Sequence, residues 1–268
     1  VPNPPPPRLA DWLAVQTGLP RARIEEAIAK GAVWHTAPGR RPARVERPTL
    51  RLASGDRIAL HYDSEVLACK PPLPRLVLRE RHYSVWEKPA GLLMEGSRFG
   101  DHATLERLAA ELTGLPVWLP HRLDREVAGV VLVAHTQTGA ARLSALFRER
   151  RIHKDYEAEV AGLPDGLADT GSVERLLDIP LDGKASRSRI RLLAHDVLRD
   201  SSVLTVCIET GRYHQIRRHL AGIGHPILGD RLYGGRPDPR GLRLRATRLR
   251  FTDPWDGQPR CFELGGLD

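Results

Sequence analysis

An α+β fold is what the sequence predicts, and three features point to it. Residues 8–62 read as two short helices followed by a strand. Further on, apolar or alternating runs of strand length at 129–134, 156–160 and 204–208 mix with a helical stretch at 136–149. The chain has neither the regular βαβ alternation of a doubly wound sheet nor a glycine-rich phosphate loop, a dinucleotide fingerprint or an internal repeat.

The elements follow in chain order. Residues 1–7, with five prolines, read as an extended, solvated leader without an apolar signal core. Trp12 and Leu13 mark the apolar face of a first helix, and Ile24, Ala27 and Ile28 that of a second. Gly18-Leu19-Pro20 separates the two, with Pro20 suited to a first helical turn and Gly31 to a helix end. Ile58, Leu60 and Tyr62 alternate as one side of a half-buried strand. Residues 63–77, containing Lys70-Pro71-Pro72-Leu73-Pro74, are expected to form a linker. A larger domain is then expected over 78–268. Its 129–134 run is almost continuously apolar, while Ala140, Leu143, Leu146 and Phe147 share helical spacing. Tyr156, Ala158 and Val160 alternate, as do Leu204, Val206 and Ile208.

Lys and Arg number 41 against 33 Asp and Glu, a formal charge of +8. Residues 8–62 alone hold 10 Lys or Arg and 5 Asp or Glu. Such an excess suits a polyanionic partner, since each phosphate neutralised releases condensed counterions. Cys69, Cys207 and Cys261 are widely spaced and odd in number, which implies no disulfide framework and fits a reducing cytoplasm. No run approaches the roughly 20 apolar residues of a membrane span.

Two polar clusters stand out. His121-Arg122-Leu123-Asp124-Arg125-Glu126 leads directly into the 129–134 strand, and the flanking arginines should keep Asp124 ionised. An ionised carboxylate is a candidate nucleophile or base. The same charges would also serve a loop salt-bridge network. The second cluster runs from Thr210 to His219 and is followed by Gly224-His225-Pro226 and Gly229-Asp230. Gly211 is expected to allow a tight turn into a helix there. A cationic helix start runs against the helix dipole, and a phosphate or carboxylate bound at that point would resolve the conflict.

Together these clusters resemble the RluA-type pseudouridine synthases. The resemblance rests on His-Arg-Leu-Asp-Arg-Glu-x-x-Gly, then Gly-Arg-x-His-Gln-Ile-Arg-x-His, with Gly-His-Pro-Ile-x-Gly-Asp behind. Lys88-Pro89-Ala90-Gly91-Leu92, Lys154-x-Tyr156-x-Ala158-x-Val160-x-Gly162 and Leu242-Arg243-Leu244-x-Ala246 match in the expected order. The resemblance implies a mixed, largely antiparallel sheet with a central cleft. It also implies isomerisation of uridines in structured RNA, without a cofactor or metal. Asp124 matches the catalytic aspartate, Tyr156 the tyrosine that stacks on the base, and Arg217 the basic partner of the aspartate. Arg122 matches the arginine that helps displace the base. Arg125, Arg212, His214, Gln215 and Lys88 are expected to contact RNA. The chain departs from the usual pattern at Glu87, Val127-Ala128, Tyr213, Arg245 and Asp253.

Residues 8–62 resemble the small RNA-binding domain first seen in a ribosomal small-subunit protein, the S-four-like domain. Arg-Leu-Ala-Asp-Trp-Leu, Leu-Pro-Arg-Ala-Arg-Ile, Lys30-Gly31-Ala32-Val33 and Ser54-Gly55-Asp56-Arg57-Ile58 carry the likeness. By that resemblance Arg21, Arg23 and Lys30 would face phosphates. The expected partner is ribosomal RNA or tRNA, the ribosomal kind favoured by this domain, with no membrane and no obligate protein partner. Two rival functions use the same residues: a catalytically inactive RNA-binding protein, or a metallohydrolase built on His121, His214, His219 and His225. Spacing opposes the latter, because His214 and His219 are five apart and fall on different helical faces.

Overall fold

A computed structural model describes residues 8–167 and 173–267. The expected leader at 1–7 lies outside the described residues. The chain divides into two compact units, one of residues 1–71 and 93–114, the other of residues 72–92 and 115–268.

In the first unit, α1 (Leu9–Thr17) ends where Gly18 takes φ 70°, a left-handed conformation that caps the helix. Helix α2 (Arg21–Ala29) follows, with Pro20 just before its first residue. Strands β1 (Val33–Thr36), β2 (Ala43–Arg44) and β3 (Arg57–Leu60) form a small antiparallel sheet ordered β2-β1-β3. Leu9, Leu13, Ile24, Ile28 and Val33 make its core. Leu67 joins that core from helix α3 (Ser64–Ala68), which Asp63 caps by accepting the Glu65 and Val66 amides.

Residues 63–77 are therefore not the continuous linker expected from their prolines. They contain α3 and the start of β4 (Arg75–Arg79). Nor is the larger unit continuous in sequence. Beyond β5 (Tyr83–Lys88), residues 93–114, including α4 (Leu105–Thr113), group with the N-terminal residues. The Asp101 amide donates to Lys30 O at 3.0 Å, and Arg44 donates to Ser97 O at 2.8 Å and pairs with Asp101 at 3.3 Å. Polar contacts between such distant residues leave no periodic trace in a sequence.

The second unit is built on a nine-stranded sheet. Its remaining strands are β6 (Ala128–Ala134), β7 (His153–Ala161), β8 (Glu174–Asp178), β9 (Arg187–Asp196), β10 (Ser201–Ile208), β11 (Leu244–Thr252) and β12 (Pro259–Glu263). Helices α5 (Gln137–Arg148) and α6 (Gln215–Gly222) complete it. The order is β4-β5-β6-β11-β7-β10-β9-β8, with β12 paired to β11. Every pairing is antiparallel except β6 with β11. The sheet is thus mixed and largely antiparallel, as expected. Central position explains the apolar run of β6, buried from Gly129 to Ala134. Gly129, at φ 131°, lets β11 approach, since a Cβ there would collide with the Ala246 backbone. No helix among the described residues is long and apolar enough to cross a membrane.

Candidate active site

The loop before β6 is pinned at several points. His121 is half-buried, stacks on Phe147 at 4.3 Å, and accepts the Leu132 amide on Nε2 at 2.9 Å. Burial pushes its pKa down to about 3, so it is a neutral structural acceptor. Leu123 and Val127 are buried on either side of Asp124. Lys88 closes the loop from β5. It is 0 % exposed, and its ammonium donates to Pro89 O, Leu92 O and Arg125 O at 3.0, 2.9 and 3.1 Å. Burial lowers it to about 8. Lys88 was expected to contact RNA; instead its donors are used inside the fold, where they hold the backbone next to Asp124.

The second cluster forms the connection from β10 into α6. Gly211 does not supply the tight turn; His214 does, at φ 52°. Gln215, another expected RNA contact, is buried and fully engaged. Its Oε1 accepts from Thr210 and the Arg212 amide at 2.7 and 3.1 Å, and its Nε2 donates to Arg187 O and Ser188 at 2.9 and 3.0 Å. It shapes the loop rather than facing a ligand.

This loop and α6 bring His214 and Arg217 to Asp124. His214 Nε2 lies 3.6 Å and Arg217 Nη1 3.8 Å from Asp124 Oδ2. Asp124 is thus a carboxylate of the protein itself lying near the cationic helix start, without a hydrogen bond to either side chain. Arg217 makes its tightest contacts elsewhere: Nε and Nη2 each donate to Asp230 at 2.7 Å, a buried bidentate pair. Its Nη1 also lies 3.3 Å from His214 Nε2. A guanidinium only donates, so Nε2 accepts, which assigns the imidazole proton to Nδ1, 3.0 Å from the Tyr233 hydroxyl. Burial lowers the His214 pKa, in keeping with a neutral ring.

Asp124 is raised above the ordinary carboxylate range. Burial is the main cause; His214 and Arg217 oppose it and Glu126 adds to it. The flanking Arg122 and Arg125 are therefore not what governs its charge. Arg125 is exposed and donates to Gly91 O at 3.2 Å. Asp230 differs: burial alone would raise it, but Arg217 and the Leu232 and Tyr233 amides bring it below the usual range.

Asp124 opens into a cavity of about 760 Å³, within the range of ligand-sized sites. Tyr156, on β7, is buried at its wall, and burial with the nearby Asp124 charge raises its hydroxyl pKa. Lys154 also lines it, lowered to about 8 by burial and lying over the Phe147 ring at 5.4 Å. Arg122 and Arg212 line the cavity too. The three residues expected to be catalytic are thus gathered at one site. Arg21, Arg23 and Lys30 belong to the other unit. There Arg21 and Arg23 are exposed and paired with Glu25 and Glu26, both at 2.9 Å, while Lys30 is tied to Glu26 and Leu67 O.

Asp230, Tyr233 and Lys154 have no role expected from the sequence. Asp230 and Lys154 sit in quoted motifs, so position was visible, but the Arg217–Asp230 pair spans 13 residues and a turn. The four histidines of the metallohydrolase reading serve separate partners. His219 is buried against Ser188 and Ile179 O, both at 3.0 Å, and His225 bonds Ala161 O at 2.8 Å. Among the described residues no three of His, Cys, Asp or Glu form a group suited to a metal.

Comparison with known proteins identifies the family and the fold. The sequence profile of the RNA pseudouridylate synthase family matches residues 82–222. An uncharacterized RNA pseudouridine synthase of Aquifex aeolicus is 31% identical over 91% of this chain and 85% of its own length. Ribosomal large subunit pseudouridine synthase D of Yersinia pestis is 30% identical over 88% of this chain and 80% of its own. Human RNA pseudouridylate synthase domain containing 1 shares the fold, with a TM-score of 0.59 at 23% identity, covering 75% of this chain and 86% of that one. The chain belongs to the RNA pseudouridylate synthase family.

Proposed function

We propose that this chain isomerises uridine to pseudouridine in structured ribosomal RNA, with Asp124 as the catalytic nucleophile or base. The observation that carries the reading is a single part-buried carboxylate opening into a cavity between a buried arginine and a buried tyrosine. The reaction breaks the glycosidic bond, turns the uracil and rejoins it through carbon, so nothing is oxidised and nothing leaves. Tyr156 offers a flipped base a stacking surface worth roughly 1–3 kcal/mol. Arg217 holds positive charge beside Asp124, and Arg122 and Arg212 supply cations for the RNA backbone. Ribosomal RNA is supported by the name of the Yersinia pestis relative and by the S-four-like reading of the N-terminal unit, in which Arg21 and Arg23 would face phosphates. The free, partly exposed thiols suit the cytoplasm.

The test is a pseudouridine map of total RNA from cells lacking the protein, complemented with wild type or Asp124→Asn. Sites restored by wild type alone would establish the activity and the substrate. Restoration by both would remove Asp124 from the chemistry, and no lost site would leave an inactive RNA-binding protein.

A further inference from the structure

Tyr213 is the most conspicuous aromatic residue that the proposed chemistry does not use. It is 71 % exposed, yet it lines the same cavity as Asp124. Its ring stacks on His214, with centroids 3.7 Å apart and planes 21° from parallel. His214 in turn meets Tyr233 edge-on at 5.7 Å and is hydrogen-bonded to it, and the Arg217 guanidinium lies 5.2 Å from the Tyr233 ring centroid. An aromatic file therefore runs from an exposed end at Tyr213 to a buried end at Arg217. The left-handed backbone of His214 fixes the direction in which the file leaves the helix.

We infer that Tyr213 is a stacking platform for the base of a nucleotide next to the target uridine. The inference rests on the proposed uridine isomerase reading. With one ring face covered by His214, stacking leaves the other as the place where a further planar group would extend the file. A base is such a group, and base–aromatic stacking tolerates any base because each has a π-face. Position selects a neighbour over the target. Tyr156 already lines the inner wall of the cavity, whereas Tyr213 is exposed and reaches Asp124 only through His214, whose Nε2 is 3.6 Å from the carboxylate. A chain whose target base enters the cavity must leave its adjoining nucleotides at the lip. Tyr has few rotatable bonds, so little freedom is lost when a base docks.

The test begins with unmodified large-subunit ribosomal RNA transcribed in vitro, on which wild-type protein fixes the modified uridine. A stem-loop carrying that uridine is then made intact and with an abasic nucleotide on either side. Tyr213→Ala should lower kcat/KM on the intact stem-loop about tenfold, the order expected of one lost stack, while Tyr213→Phe stays within about twofold. On one abasic stem-loop, wild type should fall to the level of Tyr213→Ala, and the variant should lose nothing more. Wild type indifferent to both abasic substitutions would overturn the inference. So would an equal loss by Tyr213→Ala on intact and abasic loops, the result of a ring that merely supports His214. If wild type forms no pseudouridine in the transcript, the proposed function fails on this substrate, and the inference fails with it.

Discussion

Asp124 and Asp230 are the same residue type beside the same guanidinium, and the fold treats them in opposite ways. Asp230 takes the Nε and Nη2 edge of Arg217 at 2.7 Å twice and accepts two backbone amides as well. Asp124 is left with Nη1 at 3.8 Å and an imidazole nitrogen at 3.6 Å, both beyond hydrogen-bond reach. One carboxyl is lowered and the other raised. The difference teaches how one cation can serve two purposes. Asp230 fixes the arginine and offsets much of its charge, so Arg217 steadies Asp124 without engaging its lone pairs. A carboxylate so placed keeps its oxygens available and is more basic than a free one, which suits a nucleophile or base.

The strongest way to break this comparison is Asp124→Asn. Activity should fall by about 10⁴-fold or more, the scale of removing a reacting group. Stability should move the other way. A carboxyl raised by burial is destabilising above its folded pKa, because the native state binds the proton more tightly than the unfolded one. At neutral pH the variant should therefore melt higher, by about 2–4 °C if ~1 kcal/mol is recovered. The gain should vanish as pH falls through the folded Asp124 pKa, where the wild-type group is already neutral. A lower melting temperature at neutral pH would show that Asp124 is a structural partner of Arg217 after all.

Arg217→Met probes the other member. It leaves Asp230 buried without its cation, a cost of about 3–5 kcal/mol. Pairing it with Asp230→Leu removes the orphaned charge and should restore most of the lost stability while activity stays lost. Thermal melts and single-turnover assays of both variants separate the roles. If the double variant regains activity, Arg217 does not act on Asp124.

Much of this site was legible in the sequence because its residues lie in short motifs that resemble those of the family: Asp124, Tyr156 and Arg217 could each be matched to one. Pairing was not legible. Glu87 and Arg245, two departures from the family pattern, are each other's ion-pair partner from β5 to β11, and Arg75 pairs with Glu87 at 2.6 Å. Lys88 and Gln215 resembled RNA contacts because a charged or amide side chain in a motif gives no sign of its burial. Among strands, β6 was readable from its apolar run. The alternation of β9, with Arg187, Arg189 and Arg191 outward and Ser188, Ile190 and Leu192 inward, was present but obscured by its charge. The grouping of residues 93–114 with the N-terminal unit rests on long-range polar contacts that no local pattern encodes.

Asp230→Asn sharpens the comparison with the smallest effect. The amide oxygen can still accept from the guanidinium, but the balancing negative charge is gone. More of the Arg217 charge then acts on Asp124, and an added positive influence favours the ionised carboxyl. The Asp124 pKa should fall, and the acid limb of kcat/KM should shift to lower pH relative to wild type. Stability should carry the opposite signature to Asp124→Asn. A lowered carboxyl adds stability above its unfolded pKa and loses it as pH falls through its folded one, so the deficit of this variant should be largest near neutrality and shrink in acid. An acid limb that stays in place would mean that Asp230 holds Arg217 by geometry alone. A limb that moves upward would mean that Arg217 itself has left Asp124, and that the bidentate pair is what keeps the Asp124 carboxylate charged.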